Sequence, residues 1–343
     1  LDIVRRADLE TYRCPDCNGT LALDADSSGA ADAIQTGCLT CEGCRRRYPI
    51  ANGVPRFVPS KSYADSFGAE WHNFPKTLLD ADWQDMYRVR FFQTTGFPGD
   101  LHGQTVLEVG CGPGSFTGII LSTGARVFSS DLSASVDVCI ENLRGDANLS
   151  QLSLSQANLE ALPFAAGSFD KVLCLGVIQH CPDPARAFKY LCRYVKPGGE
   201  IVIDCYQREP FRDASWTYLI KHMLRVITRR MPHWLLFWCV KSTIGALYNV
   251  KAAINKIPLA GPKLQRLIPI GELKRRDWTP EQMKQIKSLN VFDMLSPKYD
   301  NPQSVATVRG WIAEENFQLL KCEIGQNGVN AKARRPLPLQ VEP

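Results

Sequence analysis

Apolar and polar positions divide much of the chain into short alternating segments. Val106, Leu107 and Val109 read as a buried strand, and Gly110, Gly112 and Gly114 follow it as a tight turn that permits close backbone approach. Ser115 to Ser122 predicts a helix. A second strand runs from Ala125 to Ser130 and ends at Asp131, with Ser133 placed to cap a helix reaching about Leu143. Phe169 to Leu175 predicts a further strand and Pro184 to Val195 a helix, broken before Pro197-Gly198-Gly199. Glu200 to Asp204 is the next strand. Repeated strand–helix alternation predicts an α/β fold with a mostly parallel sheet covered by helices.

Outside this unit the pattern changes. Tyr63, Phe67 and Trp71 recur at spacing four and could line one helical face, and Trp83 to Phe92 is amphipathic. Glu209 to Gly271 predicts a long, largely helical insertion with a dense apolar run at Trp234 to Trp238. Thr279 is placed to cap a helix from Pro280, a later helix ends near Glu315, and Phe317 to Gly325 predicts a late strand. The expected domains are 1–58, a linker and lid at 59–100, a core at 101–208, the insertion at 209–271, completion of the fold at 272–326 and a polar tail at 327–343.

Charge and cysteine content narrow the chemistry. A net charge of +5 over 343 residues permits an anionic partner without implying nucleic acid. Five of the thirteen cysteines lie between Cys14 and Cys44, which suggests one local metal site in a reducing, cytoplasmic setting rather than a disulfide scaffold. Cys14/Cys17 and Cys41/Cys44 form two CxxC pairs of equal spacing, chosen over Cys38 as ligands for a structural zinc. A redox site and an iron–sulfur cluster are the alternatives. Asp24 to Asp32 reads as the loop between the two pairs. No secretory signal opens the chain, whose first residue, Leu1, leaves room for residues upstream. Leu235 to Val250 is interrupted by Lys241 and falls short of a membrane span.

Spacing also suggests a cofactor. Asp131 lies about 20 residues past the glycine turn, where a carboxylate can accept from both ribose hydroxyls. Leu132 and Leu159 offer apolar faces to an adenine, with Asn158 beside them. This pattern also admits NAD, although Glu108 makes a pyrophosphate less welcome and suits a cationic ligand better.

Two resemblances bear on that choice. CPDCNGTL with GCLTCEGCRRRYPIANGVPRFV, from about Tyr12 to Val58, resembles the zinc-ribbon family of methyltransferase activators, separate in some systems and fused in others. VLEVGCGPG, SSDLS, NLEALPFAAGSFDKVLCLGVIQHCPDP and YVKPGGEIVI, in that order, resemble class I (type 11-like) S-adenosylmethionine-dependent methyltransferases. The first resemblance implies a zinc ribbon on Cys14, Cys17, Cys41 and Cys44. The second implies a Rossmann-like sheet with helices on both faces and S-adenosylmethionine as cofactor, with Glu108 and Gly110 beside the methionine, Asp131 on the ribose, Asn158 and Leu159 on the adenine, and Gly176 to His180 bordering the sulfonium. The family usually carries an acid where this chain has Asn158. Tyr63 and Trp71 are expected near the cofactor.

For the chemistry, His180 is the candidate base, needed only if the acceptor is a weak nucleophile; otherwise it orients a loop or shapes the pocket. DMLSPKY followed by WIAEENF resembles a subgroup of fused bacterial methyltransferases, and that resemblance makes Asp293, Ser296, Tyr299 and Arg309 candidate substrate contacts, with stabilisation of the domain ending as the alternative for each. The 209–271 insertion is expected to roof the pocket, with a homodimer interface or peripheral membrane contact as alternatives. The expected acceptor is a specialised small molecule or glycan-related precursor. RNA, docked through Arg45 to Arg47, and a non-catalytic binding scaffold are the competing readings.

Overall fold

The computed structural model describes residues 5–24, 34–59, 62–77, 81–208, 216–255 and 279–338. Most of the expected loop from Asp24 to Asp32, both ends of the 209–271 insertion and the end of the expected tail lie outside them.

The N-terminal unit is a four-stranded antiparallel sheet of β1 (Leu21–Leu23), β2 (Gly37–Cys41), β3 (Arg47–Ala51) and β4 (Val54–Pro55). Two helices follow, α1 (Asp65–Asn73) and α2 (Ala81–Thr95). The core then alternates β5 (Thr105–Val109), α3 (Ser115–Leu121), β6 (Arg126–Asp131), α4 (Ser135–Asn142), β7 (Leu152–Gln156), β8 (Phe169–Leu175), α5 (Pro184–Cys192) and β9 (Val195–Cys205). Next come α6 (Trp216–Thr228), α7 (His233–Asn255), α8 (Pro280–Leu295) and α9 (Val305–Glu314), and the hairpin β10 (Gln318–Ile324) and β11 (Val329–Arg334).

Among the described residues the main sheet has seven strands in the order β10-β11-β9-β8-β5-β6-β7. Strands β5 to β9 pair in parallel, whereas β11 runs antiparallel to both β9 and β10. The chain winds outward from β5 in one direction and resumes at β8 in the other. Such a reversal opens a crevice beyond the carboxyl ends of β5 and β8, where ligands bind in sheets of this kind.

Two elements correct the sequence reading. Residues 329–334, assigned to the polar tail, form an inner strand of the sheet. Val329, Ala331 and Ala333 are buried, while Lys332 and Arg334, with Lys171, surround Glu200. Burial opposes the Glu200 charge, but the bonds from Lys171 and Arg334 outweigh it and hold the carboxyl down at about 2. Strand β7 carried no strand assignment, because Leu-Ser-Leu-Ser-Gln is half polar. All five of its residues are nonetheless buried, since the N-terminal unit covers the sheet edge there.

That cover is a shared core rather than a loose appendage. Tyr12 is fully buried, its hydroxyl 3.0 Å from Ser153 Oγ and its ring packed on Phe57 and Phe164. The Phe57 N–H donates to the Gln156 carbonyl at 2.8 Å, and the Arg13 N–H to the Pro163 carbonyl at 2.8 Å. Arg56 pairs with Asp137 at 2.5 Å, and Arg126 reaches back to Asp8. One apolar cluster runs from Leu39 and Tyr48 through Tyr12 to Phe128 and Phe164.

Replacing Tyr12 tests this continuity. Tyr12→Phe is expected to cost about 1 kcal/mol through the lost hydroxyl bond, and Tyr12→Ala about 3–5 kcal/mol through the lost packing. Denaturant unfolding of the full chain reads both. A Tyr12→Ala loss under about 1 kcal/mol would mean that the two units do not share a core.

Candidate active site

The glycine turn is shaped by what presses on it. Gly110 has φ 86°, and a Cβ there would sit 2.2 Å from Val177 Cγ2. Gly112 has φ 52°, with Trp71 Nε1 3.2 Å from the position of a Cβ. Side chains at either position would therefore be strained and crowded. The Gly110 N–H donates to the Ser130 carbonyl at 2.7 Å, joining the turn to the end of β6. Asp131 closes the arrangement: Oδ2 accepts from the Gly112 N–H at 3.1 Å, and Oδ1 accepts from the N–H and Oγ of Ser133, both at 2.8 Å. Oδ2 keeps a lone pair for a ligand hydroxyl, whereas Oδ1 already accepts two bonds.

Beyond this turn lies a cavity of about 330 Å3. Of the sequence candidates, Gly110, Gly112, Asp131, Leu132, Leu159 and Gly176 are on its wall at the sheet end. Tyr63 and Trp71 cover it from the α1 side, and His180 and Asp293 border it further along. The wall therefore offers backbone polar groups, a carboxylate and two leucine faces together, a set that suits an adenosine with a short polar extension.

Six expected cofactor contacts or substrate candidates do not line the wall. Glu108 is buried behind β5, where Oε2 accepts from Thr117 Oγ1 and Ser129 Oγ, each at 2.6 Å. Burial raises its carboxyl to about 7 against the lowering effect of those hydroxyls. Its expected place beside a cationic ligand is thus corrected: strand alternation turns it toward α3. Gly114 faces Cys139 and Leu143 instead. Asn158 Oδ1 accepts from the Glu160 N–H at 3.1 Å, capping the single turn Leu159–Ala161. Arg309 donates to the Cys322 carbonyl at 3.2 Å in the α9–β10 contact. Ser296 is buried at the end of α8, off the wall. Tyr299 lines no wall either, but its carbonyl lies 3.1 Å from His180 Nδ1 and its ring meets Tyr63 edge-on.

The roof also differs from expectation. The described part of the 209–271 insertion supplies no wall residue; Ile286, Leu289, Asn290 and Asp293 of α8 do. Helix α7 packs Leu236, Val240 and Ile244 behind α8, so it supports the roof at one remove.

Several wall groups had no distinct signal in the sequence. Glu70 is almost fully buried, with Oε2 lacking a hydrogen-bond partner. Burial and then the nearby Asp293 push its carboxyl well above the ordinary range. The Tyr206 hydroxyl donates to Asp293 Oδ2 at 3.0 Å. Arg90 pairs with the fully buried Asp204 at 2.7 Å. Only the position of Glu70 next to Trp71 in the aromatic stripe could have marked it.

The cysteine cluster sits at the far end of the N-terminal unit. The Sγ atoms of Cys14, Cys17, Cys41 and Cys44 all lie within 4.8 Å of one another. Cys17–Cys41 and Cys14–Cys44 are 3.4 and 3.6 Å apart. A tetrahedron with Zn–S bonds of about 2.3 Å has edges of about 3.8 Å, so the donor set fits zinc. A Cβ on Gly19 would meet Cys41 Sγ at 3.2 Å and Cys17 Sγ at 3.3 Å, which keeps the turn against the sulfurs bare. Cys38 lies outside the group, with its Sγ toward the Leu39 carbonyl. Four thiolates complete the coordination and mark a structural site. In the neighbouring basic run, Arg46 pairs with Asp16 and Arg47 with Asp24, each at 2.5 Å.

Two outcomes check these assignments. Metal analysis is expected to find stoichiometric zinc in the wild type and in C38S, with most of it lost from C14S and from C41S; full zinc in both of the latter would refute the ligand set. Glu108 gives a pH signature. Its folded pKa is raised, so its contribution to stability is fully present below the unfolded carboxyl range and is lost as pH rises through about 7. Glu108→Gln should therefore flatten the fall in stability between about pH 4.5 and 8, by up to about 3 kcal/mol. Parallel wild-type and variant curves would contradict this.

Comparison with known proteins bears on the same two units. Residues 107–203 match the methyltransferase domain family, and residues 9–53 match the Trm112p-like protein family. The chain is 31% identical over 136 residues to the ubiquinone biosynthesis O-methyltransferase of Xanthomonas oryzae, an alignment spanning 39% of this chain and 56% of that protein. It is 34% identical over 168 residues to the protein of the same name from Pseudomonas paraeruginosa, spanning 43% and 70%. The chain thus spans about half the length of most of the curated relatives it matches. Among solved structures, the complex containing the Haloferax volcanii Trm112 methyltransferase activator aligns with a TM-score of 0.46 at 13% identity, covering 81% of this chain and 99% of that one. From the sheet order, the glycine turn facing Asp131 and these sequence matches, the chain belongs to the S-adenosylmethionine-dependent methyltransferases and carries a Trm112-like four-cysteine ribbon on the same polypeptide.

Proposed function

We propose that the chain transfers a methyl group from S-adenosylmethionine to a small-molecule acceptor bound in the cavity beneath α8. The observation carrying this reading is that one cavity joins two unlike ends. One end has the glycine turn, Asp131 and two leucine faces. The other has aromatic walls, Trp83, Tyr87 and Tyr206 among them, with Glu70, Asp293 and His180 as its ionisable groups. A partly open cleft with aromatic walls and a few convergent polar groups suits a small, planar acceptor better than an RNA strand. The relatives' name as O-methyltransferases favours an oxygen acceptor.

S-adenosylmethionine supplies an already activated methyl carbon, so the protein's work is alignment, exclusion of water and removal of the acceptor's proton. Gly110, Gly112 and Asp131 would hold the donor, with Leu132 and Leu159 against its adenine. Tyr63 and Trp71 would close over it. Asp293 would orient the acceptor, fixed in place by the Tyr206 hydroxyl. His180 is the base in this scheme. A carbonyl only accepts, so the contact with Tyr299 puts the proton on Nδ1 and leaves the Nε2 lone pair available. Phe67 and Tyr206 pack against the ring, with centroids at 4.9 and 5.5 Å, and fix its plane.

Incubation with methyl-labelled S-adenosylmethionine and separated small-molecule and RNA fractions of a cell extract tests the reading. Label is expected in a small phenolic or other hydroxyl-bearing compound; label in RNA alone would overturn it. With that acceptor, His180→Ala should slow single-turnover transfer at saturating donor by about 100-fold or more. An unchanged rate would remove His180 as the base.

A further inference from the structure

We propose that the exposed apolar stripes of the α6–α7 helical hairpin dock on an anionic lipid bilayer. This goes beyond the methyl-transfer reading and does not depend on it. On α6, Met223 and Ile227 are each 65% exposed and Ile220 is 51% exposed; on α7, Trp234 and Trp238 are 71% and 64% exposed. Met223/Ile227 and Trp234/Trp238 are both i, i+4 pairs, so each forms a stripe on one side of its helix. The opposite side of α7 is already used, with Leu236, Val240 and Ile244 packed on Leu289 and Phe292 of α8. The exposed stripes are therefore not a core seen from behind.

Charge selects the occupant. Between Asp213 and Glu272 the sequence holds nine Lys and Arg and no acid, although the whole chain has 35 acidic residues and a net charge of only +5. The remainder of the chain is therefore net acidic, and the cationic character is concentrated here. Some of these cations serve the interior. Arg225 donates to the carbonyls of Met294 and Pro297, and Lys221 pairs with Asp300. Arg229 and Arg230, in the turn between the helices, and Lys241 on α7 are exposed beside the apolar stripes.

Exposed tryptophan and aliphatic side chains flanked by cations, with the acid of the groove beside Trp234, Asp137, already paired with Arg56, match the chemistry of an anionic membrane surface: rings and methyl groups enter the headgroup boundary and cations meet lipid phosphate. A second copy fits poorly, because a two-fold interface would bring together the Arg229, Arg230 and Lys241 cations of both copies with no acid of the segment to pair them. A polyphosphate chain would leave the tryptophan and aliphatic stripes uncovered. No helix of the described residues is long and apolar enough to cross a membrane, so the hairpin would lie in the plane of the interface.

Sedimentation of the full chain with vesicles of pure phosphatidylcholine, and of equimolar phosphatidylcholine and phosphatidylglycerol, tests this. The wild type is expected to pellet with the anionic vesicles alone, to be released by salt at about 0.5 M, and to show a blue shift of tryptophan emission on binding. Trp234→Ser/Trp238→Ser and Arg229→Glu/Arg230→Glu should each lower partitioning by about tenfold or more. Equal charge reversal at Arg186 and Lys189 on α5 should not. Circular dichroism checks that the variants fold; if a pair does not, the lipid and salt dependence of the wild type decides. The proposal is overturned if the wild type stays in the supernatant with both vesicle types, if both hairpin variants pellet like the wild type, or if vesicle-free protein is a dimer that Trp234→Ser/Trp238→Ser dissociates. Methyl transfer to a soluble acceptor, measured without vesicles, would survive each of these outcomes.

Discussion

Close approach at Gly110 and Gly112 is the constraint on which the site depends. Three separate parts of the chain meet there. Val177, from the loop after β8, occupies the space beside Gly110; Trp71, from α1, occupies the space beside Gly112; and Asp131, at the end of β6, accepts the Gly112 N–H. A side chain at either glycine would push the loop or the cover away and widen the cavity at its polar end. The parallel sheet places the ends of β5, β6 and β8 close enough for this to happen. Fold and site are therefore one arrangement: the strand order opens the crevice, and the bare backbone lets it narrow to fit a ligand.

The ribbon takes part in the same framework. The four thiolates hold its knuckles together, and the shared core around Tyr12 passes that order to β7. An edge strand with an uncovered hydrogen-bonding side is open to pairing with other chains. Here Arg56 and Phe57 take up that edge at Gln156, and Arg56 ties to Asp137 on α4. Zinc at one end of the molecule is thus mechanically continuous with the strand beside Asp131. Metal binding and sheet stability are expected to be coupled for this reason.

What the sequence revealed and concealed follows from the physics of each element. Strand β5, its glycines and Asp131 were legible because their chemistry is local: a run of apolar residues, a turn that only glycine tolerates and a carboxylate at a fixed spacing. The cysteine pairs were legible for the same reason. Strand β11 was not, because its inward residues are small and its outward Lys332 and Arg334 look like tail residues until Glu200 is placed between them. Glu108 misled, because adjacency to Gly110 in sequence says nothing of the face to which its side chain turns. Glu70 was hidden because its meaning depends on Asp293, more than two hundred residues away on α8. Arg309 and Asn158 have polar side chains that meet local backbone needs, which sequence alone cannot separate from ligand contacts.

The cavity that results is asymmetric, with preformed backbone and carboxylate groups at one end and, among aromatic rings at the other, a buried Glu70 whose Oε2 has no partner and a half-buried Asp293 bonded to Tyr206. We propose that the first end holds the donor, with Asp131 as the ribose ligand. Calorimetric titration of the intact chain with S-adenosylhomocysteine, wild type against Asp131→Ala, tests this most directly. One site per chain is expected, weakened by about tenfold or more in the variant, as for loss of charge-assisted hydrogen bonds. A folded wild type that binds nothing, or an Asp131→Ala chain that binds equally well, would contradict the account.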